Sequence, residues 1–312
     1  MAHIAVTGGT GFIGSHILDV LEEQGCEVRA LTRQPASAPR PGLTWIPGDL
    51  SDEAALRRLI QGARAVIHGA GAVKARNAQE FMECNATAVA RVAKIVAEEA
   101  PDARLVHLSS LVAREPGLSP YAASKAAGEA ALLDTPNLDW VILRPPAVYG
   151  PRDREMLRIF KALKSNMALM PGPGSNRLSL IHGRDAAEAA VAAALGPKID
   201  SPGRTFDIDD GNSTGYAMAD VYRLAAKLLD RNLNPRTIPR PLLTIAAQIN
   251  TAMAPLVRQA PMLTLGKVAE LTHPDWVARG PMLQNVTTWR PKVDLAGGLA
   301  ETFAWYRQQG WL

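Results

Sequence analysis

The chain has 312 residues, of which 47% are hydrophobic and 21% are charged, a composition that is ordinary for a soluble globular protein and that excludes disorder. Its net charge of +4 is small for this length, and its Lys and Arg residues are scattered singly, so no nucleic-acid partner is expected. The only cysteines, Cys26 and Cys84, stand far apart and outside any CxxC pattern, so neither a disulfide framework nor a metal site is expected.

The N-terminal sequence MAHIAVTGG leads directly into a strand pattern and lacks the basic and apolar regions of a secretory signal. No stretch of the chain predicts a transmembrane helix. Together with the low cysteine content, these features predict a protein of the reducing cytoplasm.

Strand and helix patterns alternate through the first half of the chain. Such alternation predicts βαβ units with right-handed crossovers, and therefore an α/β fold with a doubly wound parallel sheet of the Rossmann type. Ligands of such a sheet bind at the carboxyl ends of its strands. The predicted strands are 3–8, 27–33, 43–49, 65–71, 104–110 and 140–145, and the predicted helices are 12–25, 52–61, 79–99 and 120–133.

The stretch TGGTGFIG, residues 7–14, joins the first predicted strand to the first predicted helix. Gly8 is free to adopt a positive φ, Gly11 lets a pyrophosphate approach the backbone, and Gly14 lets the helix pack close to the strand. Tight turns without a ligand also need glycine. The position after the first strand and before a helix favours dinucleotide binding.

The end of the second predicted strand bears on the choice of dinucleotide. An acidic residue there would bind the ribose 2′-hydroxyl of NAD, but no Asp or Glu occurs between Glu27 and Asp49. Thr32, Arg33 and Arg40 stand there instead, and a guanidinium suits a 2′-phosphate. The sequence therefore favours NADP, with NAD as the alternative. The simpler interpretation of Arg33 is a solvated charge in a loop.

The alanine-rich stretch SPYAASKAAGEAALL, residues 119–133, places Tyr121 and Lys125 on one face of a predicted helix. A free tyrosine titrates at about pH 10, so a fixed cation must stabilise the phenolate before it acts at neutral pH. Ser109 and Ser110 end the preceding strand, and only one of them can face the site because adjacent strand residues point to opposite faces.

Four motifs in this order resemble the extended short-chain dehydrogenase/reductase family: TGGTGFIG, the Ser pair, YAASK and RPPAVYGP (144–151). That family includes sugar-nucleotide epimerases and dehydratases, 3β-hydroxysteroid dehydrogenases and dihydroflavonol reductases. The segments LSLIHGRDAAEAAVAAAL (178–195) and GGLAETFAWYRQQGWL (297–312) also resemble it, so the similarity covers nearly the whole chain. These motifs are specific for the family and not for a substrate.

The resemblance implies that Tyr121 is the general acid/base, that Lys125 lowers its pKa and binds the nicotinamide ribose, and that Ser110 holds the substrate oxygen. It also implies a homodimer formed through helices of the first domain. The cofactor-binding residues that it implies are Gly8, Thr10, Gly11, Phe12, Ile13, Gly14, Arg33, Asp49, Leu50, Ala70, Gly71, Tyr121, Lys125, Pro145 and Val148.

Two segments depart from the family pattern. Only 10 residues separate Ser110 from Tyr121, and so short a loop leaves the site open or requires cover from elsewhere. In DWVARGPMLQNVTTWRP, Arg279 and Pro281 stand where many relatives have other residues, which puts a common sugar-nucleotide contact in doubt.

The second half of the chain is expected to determine the substrate specificity. We predict a dinucleotide-binding domain over 1–165 and a smaller, interleaved substrate-binding domain over 166–312, with a return of the chain to the main sheet near 203–212. The pattern of TFDIDDGN, a strand followed by a turn, indicates this return.

Three residues near the middle of the chain have alternative interpretations. Arg177 either contacts a diphosphate, as in sugar-nucleotide enzymes of the family, or simply begins a strand. His182 and Asp185 suggest a catalytic pair or a metal site, but an N-cap role for Asp185 before a helix from residue 186 is the favoured interpretation.

The segment 239–265 is apolar but too short and polar to span a bilayer. It is expected to be buried between domains, to line an apolar substrate pocket, or to contact a membrane surface with Arg240 and Arg258 at its edges. Family members that act on steroids and other lipid-like substrates carry such an insertion, so the resemblance favours an apolar alcohol or ketone.

The leading hypothesis is an NADP-dependent oxidoreductase that transfers hydride to or from a carbinol carbon of a small, apolar substrate. A nucleotide-sugar epimerase or dehydratase that retains its cofactor is the first alternative. A non-catalytic dinucleotide sensor or assembly subunit is the second.

Overall fold

The computed structural model describes residues 2–34, 39–165, 168–199, 204–257, 261 and 263–312. The strands are β1 (His3–Thr7), β2 (Val28–Thr32), β3 (Leu43–Pro47), β4 (Ala63–His68), β5 (Arg104–Leu108), β6 (Trp140–Arg144), β7 (Ala147–Tyr149), β8 (Leu169–Pro171), β9 (Arg177–Leu178), β10 (Leu180–His182), β11 (Thr205–Asp207), β12 (Tyr216–Ala217), β13 (Arg236–Ile238) and β14 (Asp275–Trp276). The α-helices are α1 (Phe12–Glu23), α2 (Glu53–Ile60), α3 (Ala78–Met82), α4 (Ala88–Glu99), α5 (Pro120–Leu133), α6 (Glu155–Lys164), α7 (Gly183–Leu195), α8 (Met218–Lys227), α9 (Arg240–Val257), α10 (Leu265–Leu271) and α11 (Leu295–Gln308).

Seven parallel strands form the main sheet in the order β11-β6-β5-β4-β1-β2-β3. The chain runs outward from β1 in one direction through β2 and β3, and then in the other direction from β4. This reversal lies between β1 and β4, where open α/β sheets bind their ligands outside the carboxyl ends of the strands. The predicted doubly wound Rossmann-type fold is therefore confirmed.

Helices cover both faces of the sheet. Ile4 and Val6 of β1 belong to a core shared with α1 and α7, whereas Ala5 between them belongs to a core shared with α2, α4 and α5. Successive side chains of a strand point to opposite faces, and both faces are covered, so β1 is buried along its whole length. This explains why the first-half strands are continuous apolar runs.

Beyond residue 150 the described strands are shorter, and most pair in small sheets: β10 with β7, β12-β9-β14, and β13 with β8. Phe160 and Tyr306 are fully buried in a third core formed chiefly by α6, α8 and α11. The strand β11 leaves this region and joins the main sheet, where Thr205 pairs with Ile142 of β6. The division into domains at residue 165 stays a prediction.

The start of α7 differs from the sequence prediction. The helix begins at Gly183, and its N-cap is His182, whose Nδ1 accepts from the backbone N–H of Arg184 at 3.4 Å. The predicted N-cap role of Asp185 is therefore wrong. Its carboxylate instead accepts from two backbone N–H groups of residues 292 and 293, just before α11, at 3.0 and 2.9 Å.

The apolar segment 239–265 forms α9 and leads into α10. Leu243 and Ala247 of α9 pack on Val268 of α10 in a small core. Within the ranges given above, no helix is long and apolar enough to cross a membrane. Arg258, predicted at the edge of this segment, lies outside the described residues.

Candidate active site

The glycine loop closes tightly at the centre of the sheet. Gly8 follows β1 with φ +77°, and a Cβ there would lie 2.6 Å from the backbone nitrogen of Ala70, at the end of β4. A Cβ on Gly14 would lie 1.9 Å from the carbonyl oxygen of Gly8. Only glycine fits at both positions, so the spacing found in the sequence has a steric cause.

The first turn of α1 has the features of an anion site. Gly11 is the N-cap and has no side chain to accept from the first amides of the helix. Thr10 and Gly11 are exposed, Phe12 and Ile13 are partly exposed, and the positive end of the helix dipole lies at the switch point of the sheet. This turn fits a dinucleotide pyrophosphate.

The two arginines after β2 have different surroundings. Arg40 makes ion pairs with Asp19, at 2.8 Å, and with Glu22, both on α1, so its charge is already matched. Arg33 directly follows β2 and is exposed. At the end of β3, hydrogen bonds from the hydroxyl and the backbone N–H of Ser51 lower the pKa of Asp49.

Other predicted cofactor residues lie at the ends of neighbouring strands. Leu50 follows β3, and its carbonyl oxygen accepts from Arg91 at 2.6 Å. Pro145 follows β6, and its carbonyl oxygen accepts from the backbone N–H of Leu111 at 2.9 Å. Val148 lies in β7, which pairs with β10. These positions lie on the same carboxyl side of the sheet as the glycine loop.

Asn85 holds the chain after β4 and was missed by sequence reasoning. Its Oδ1 accepts from the backbone N–H of Ala72 at 2.8 Å, and its Nδ2 donates to the Ala72 carbonyl at 2.9 Å and to Ser124 at 3.0 Å. A Cβ on Gly71 would lie 2.8 Å from Asn85 Oδ1 and 3.4 Å from Lys125 Nζ. Asn85 therefore ties the loop after β4 to the helix that carries Lys125.

The predicted helix over 79–99 contains a π-helical turn, Glu83–Thr87, between α3 and α4. This turn contains Asn85 and lies against α5, where a Cβ on Gly128 would lie 2.1 Å from the Asn85 carbonyl oxygen. Such turns occur frequently at functional sites. The only indication of this turn in the sequence is Asn85, a polar residue within a stretch that otherwise predicts an amphipathic helix.

The first turn of α5 presents the predicted catalytic pair. Ser119 caps the helix by accepting from the backbone N–H of Ala122 at 3.0 Å. Tyr121 shares a hydrogen bond with Ser110, and its ring lies 5.8 Å from that of Phe81. The structure thus brings Ser110 and Tyr121 together at the carboxyl edge of the sheet.

Burial dominates the pKa values of Tyr121 and Lys125. Burial raises the pKa of Tyr121 to about 12, although the hydrogen bond with Ser110 opposes this and the charge of Glu270 adds to it. Burial lowers the pKa of Lys125 to about 8, against the opposing effect of Glu129. Because Lys125 Nζ donates to the Leu108 carbonyl at 3.0 Å, its charge is already engaged.

Ser109 points to the other side of the strand end. Its hydroxyl donates to Glu129, which also accepts from Nε of Arg144 at 2.9 Å and from Nη2 at 2.5 Å. Glu129 is buried and lies one helical turn after Lys125. A carboxylate–guanidinium pair is therefore built behind the predicted catalytic lysine, and no motif in the sequence indicated it.

A pair of buried histidines lies near Lys125 and was also missed. His68 and His107 are stacked with ring centroids 5.4 Å apart, and Thr7 hydrogen-bonds His68 Nδ1 at 2.7 Å. Burial lowers the pKa of His68 to about 3 and that of His107 well below its usual value, with the charge of Lys125 adding to both. Both rings are therefore neutral at physiological pH.

The short loop before Tyr121 receives its cover from the C-terminal half. The Ser119 hydroxyl donates to the buried carboxyl group of Glu270, and a Cβ on Gly266 would lie 2.7 Å from Ser119 Cβ. Arg114 donates to the carbonyl oxygens of Val277 and residue 275 at 2.8 and 2.7 Å. Thus α10 and β14 lie over the loop.

Arg177, the candidate diphosphate contact, and the two residues that depart from the family pattern, Arg279 and Pro281, are all bonded within the protein. Arg177 begins β9 and donates to the carbonyl oxygens of residues 214 and 215, both at 2.8 Å. Arg279 makes an ion pair with Asp275 at 2.7 Å, and Pro281 accepts from the backbone N–H of Asp207 at 2.8 Å. In the part of the chain that the structure describes, no cluster of His, Cys, Asp and Glu is suited to a metal ion.

Comparison with known proteins agrees with this geometry. Residues 4–209 match the sequence profile of the NAD dependent epimerase/dehydratase family. The chain belongs to this family. Its members of the extended short-chain dehydrogenase/reductase type are NAD(P)-dependent oxidoreductases, so the predicted family and enzyme class are confirmed.

Two relatives from this family match over nearly the full length. The ceramide reductase of Caulobacter vibrioides is 35% identical, over 99% of this chain and 96% of the relative. The 2-alkyl-3-oxoalkanoate reductase of Stenotrophomonas maltophilia is 27% identical, over 95% of this chain and 97% of the relative. The solved structure of MoeE5 in complex with UDP-glucose and NAD has a TM-score of 0.74 at 23% identity, covers 99% of each chain, and shows the shared fold.

Proposed function

We propose that this chain reduces the ketone of a lipid-like substrate to an alcohol with NADPH. The observation that carries the proposal is the Tyr121 hydroxyl, which shares a hydrogen bond with Ser110 and has its pKa raised to about 12. At neutral pH this phenol holds its proton. A protonated acid next to a second hydroxyl is the arrangement that the reduction of a carbonyl needs.

Ser110, Tyr121 and Lys125 each have a distinct role in this reaction. A nicotinamide cofactor held at the glycine loop, residues 7–14, would supply the hydride for the carbonyl carbon. Ser110 donates a hydrogen bond to the carbonyl oxygen and orients it, and Tyr121 transfers its proton to that oxygen as the C–H bond forms. The ammonium group of Lys125 stabilises the phenolate that remains, until a proton from solvent restores the phenol.

The support for NADPH over NADH comes from the end of β2. Arg33 is exposed there, whereas Arg40 is held by two carboxylates of α1. An exposed guanidinium at this position suits a 2′-phosphate. We expect kcat/KM to be higher for NADPH than for NADH. Arg33→Ala is expected to reduce the ratio of the two values, and Arg40→Ala to leave it unchanged. An equal effect of both variants would contradict the role of Arg33.

The support for a lipid-like substrate comes from two sources. The names of the two full-length relatives denote reductions of a ceramide and of an alkyl-substituted oxoalkanoate. Over the site lies α10, which packs on the apolar α9. The engaged side chains of Arg177 and Arg279 do not offer the free cations that a sugar nucleotide would need.

A direct assay tests the proposed function. The purified chain is given NADPH and either a ceramide whose carbinol is oxidised to a ketone, a 2-alkyl-3-oxoalkanoate, or UDP-glucose. We expect NADPH oxidation to match alcohol formation mole for mole with the lipid ketones. Tightly retained nucleotide without net turnover, together with conversion of UDP-glucose, would support the epimerase alternative and contradict this proposal.

A further inference from the structure

The helix α9 has apolar side chains on two faces. One face, with Leu243 and Ala247, is buried against α10. The other, which we call the α9 stripe, consists of side chains that are 52% to 58% exposed. The α9 stripe is Leu242, Ile245, Ile249 and Met253. Its spacings of three and four residues place these side chains in one row along the helix.

The sequence on either side of the α9 stripe carries basic residues and no acidic ones. Between Asp230 and Glu270 the sequence contains no acidic residue. It contains five basic residues there, and those that the structure describes are exposed. These basic residues are Arg231, Arg236, Arg240, Arg258 and Lys267. Lys267 makes an ion pair with Glu270 at 3.0 Å, whereas among the described residues no ion pair forms at Arg231, Arg236 or Arg240. A surface that joins an apolar row to these three cations is complementary to an anionic lipid surface.

The α9 stripe is connected to the site through α10. The buried face of α9 packs on Val268, and two turns of α10 contact the loop before Tyr121 through Gly266 and Glu270. A lipid surface that meets α9 therefore lies next to the element that covers Ser119.

We propose that the α9 stripe docks this protein on an anionic lipid bilayer and so gives the site access to a membrane-borne ketone. The substrate access rests on the proposed function, whereas the docking itself does not. A second copy of the chain is a poorer occupant of this face. A two-fold interface is self-complementary, so it would bring the same cations of both copies together.

Vesicle flotation tests the docking. The probes are vesicles of phosphatidylcholine alone and of phosphatidylcholine mixed with phosphatidylglycerol. We expect the wild-type chain to float with the mixed vesicles, to float far less with phosphatidylcholine, and to be released by added salt. The double variant Ile245→Ser/Ile249→Ser is expected to lose about tenfold or more in partitioning, because two apolar side chains no longer enter the bilayer.

The matched control removes exposed apolar side chains elsewhere. Leu133 and Val286 are 63% and 42% exposed and lie outside α9. The variant Leu133→Ser/Val286→Ser is expected to bind vesicles like the wild type. Failure of the wild type to float with mixed vesicles overturns the proposal, as does equal binding by the Ile245/Ile249 variant or an equal loss in the control. Thermal unfolding of each variant verifies that it is folded.

Two further measurements separate the remaining outcomes. A dimer that dissociates in the Ile245/Ile249 variant, with no vesicle binding by the wild type, would assign the α9 stripe to a second copy and overturn the docking. Reduction of a short, water-soluble ketone by NADPH reports on the chemistry alone. Soluble-ketone turnover without vesicle binding leaves the proposed function standing and refutes the docking, whereas vesicle binding without any turnover refutes the function only.

Discussion

Ser109 and Ser110 are adjacent in the chain but belong to two differently built regions. On the side of Ser110, Tyr121 is a partly exposed residue whose hydroxyl keeps its proton because burial raises its pKa. On the side of Ser109, the buried carboxylate of Glu129 pairs with the partly exposed Arg144 and accepts three hydrogen bonds. The first region is open for a substrate oxygen, whereas the second holds fixed charge behind the reactive helix.

The difference shows how one strand end can serve chemistry and electrostatics at once. A group that exchanges a proton must keep a free lone pair and contact with the substrate. A group that sets the charge of its neighbours works best when burial strengthens its field and when its own hydrogen bonds are complete. The pleat of β5 separates the two tasks by one residue.

Removal of the phenol tests the open region and carries the largest expected effect. Tyr121→Phe keeps the ring beside Phe81 but removes the proton that we assign to the substrate oxygen. We expect kcat for ketone reduction to fall about 10³-fold, within the range of general-acid contributions. Nucleotide binding, measured by fluorescence titration with NADPH, is expected to change little. An unchanged kcat would contradict the assignment of Tyr121 as the proton donor.

Replacement of each serine tests the separation of the two regions. Ser110→Ala is expected to lower kcat/KM about 10²-fold, because a hydrogen-bond donor to the substrate oxygen is lost. Ser109→Ala is expected to leave kcat/KM nearly unchanged and to lower the free energy of unfolding by about 1 kcal/mol through its lost bond to Glu129. Steady-state kinetics and urea unfolding check both, and a reversal of the two effects would contradict the assignment.

Loss of the guanidinium tests the buried region. Arg144→Ala leaves the Glu129 carboxylate buried without its partner, so we expect the free energy of unfolding to fall by about 3 kcal/mol. The matched control is Arg223→Ala, which breaks an exposed pair with Asp220 and is expected to cost less than about 0.5 kcal/mol. Urea unfolding measures both, and equal small losses would show that the buried pair is not structural.

The sequence predicted those parts of the site that short motifs encode. Gly14 is required by a close backbone contact within one βα turn, and Gly8 by its positive φ in the same turn. Tyr121 and Lys125 lie one turn apart on one helix. Local spacing is enough to recognise such features. The fold class followed in the same way from alternating strand and helix patterns.

The sequence could not predict the contacts that form only on folding. Asn85, Glu129 and Glu270 reach the site from a π-helical turn, from the far side of α5 and from α10. Each contact joins segments whose relative placement depends on the whole fold. The N-cap of α7 was predicted wrongly, and the reason lies in the local sequence. Asp, as at residue 185, is a favoured N-cap residue, whereas His, as at residue 182, is an uncommon one.

The pH dependence of reduction gives the smallest expected effect and connects the two regions. Tyr121, with its pKa raised to about 12, stays protonated throughout the working range. Lys125 has its pKa lowered to about 8, so its charge is complete below that pH and is lost as the pH rises through it. Because the cation stabilises the phenolate left by proton transfer, we expect kcat for reduction to be level at low pH and to fall above about pH 8.

If Glu129 in the buried region helps to set the charge of Lys125, Glu129→Gln is expected to shift the pH at which kcat falls. Glu129 raises the pKa of Lys125, so its neutralisation lowers that pKa and shifts the fall of kcat to lower pH. Glu129→Gln leaves the Arg144 guanidinium without its partner, and the double variant Glu129→Gln/Arg144→Gln removes that guanidinium. We expect the double variant to be more stable than the single variant and to show the same shift in the pH at which kcat falls. A fall of kcat that stays at the wild-type pH in both variants would mean that Glu129 only packs, and that the two regions are independent.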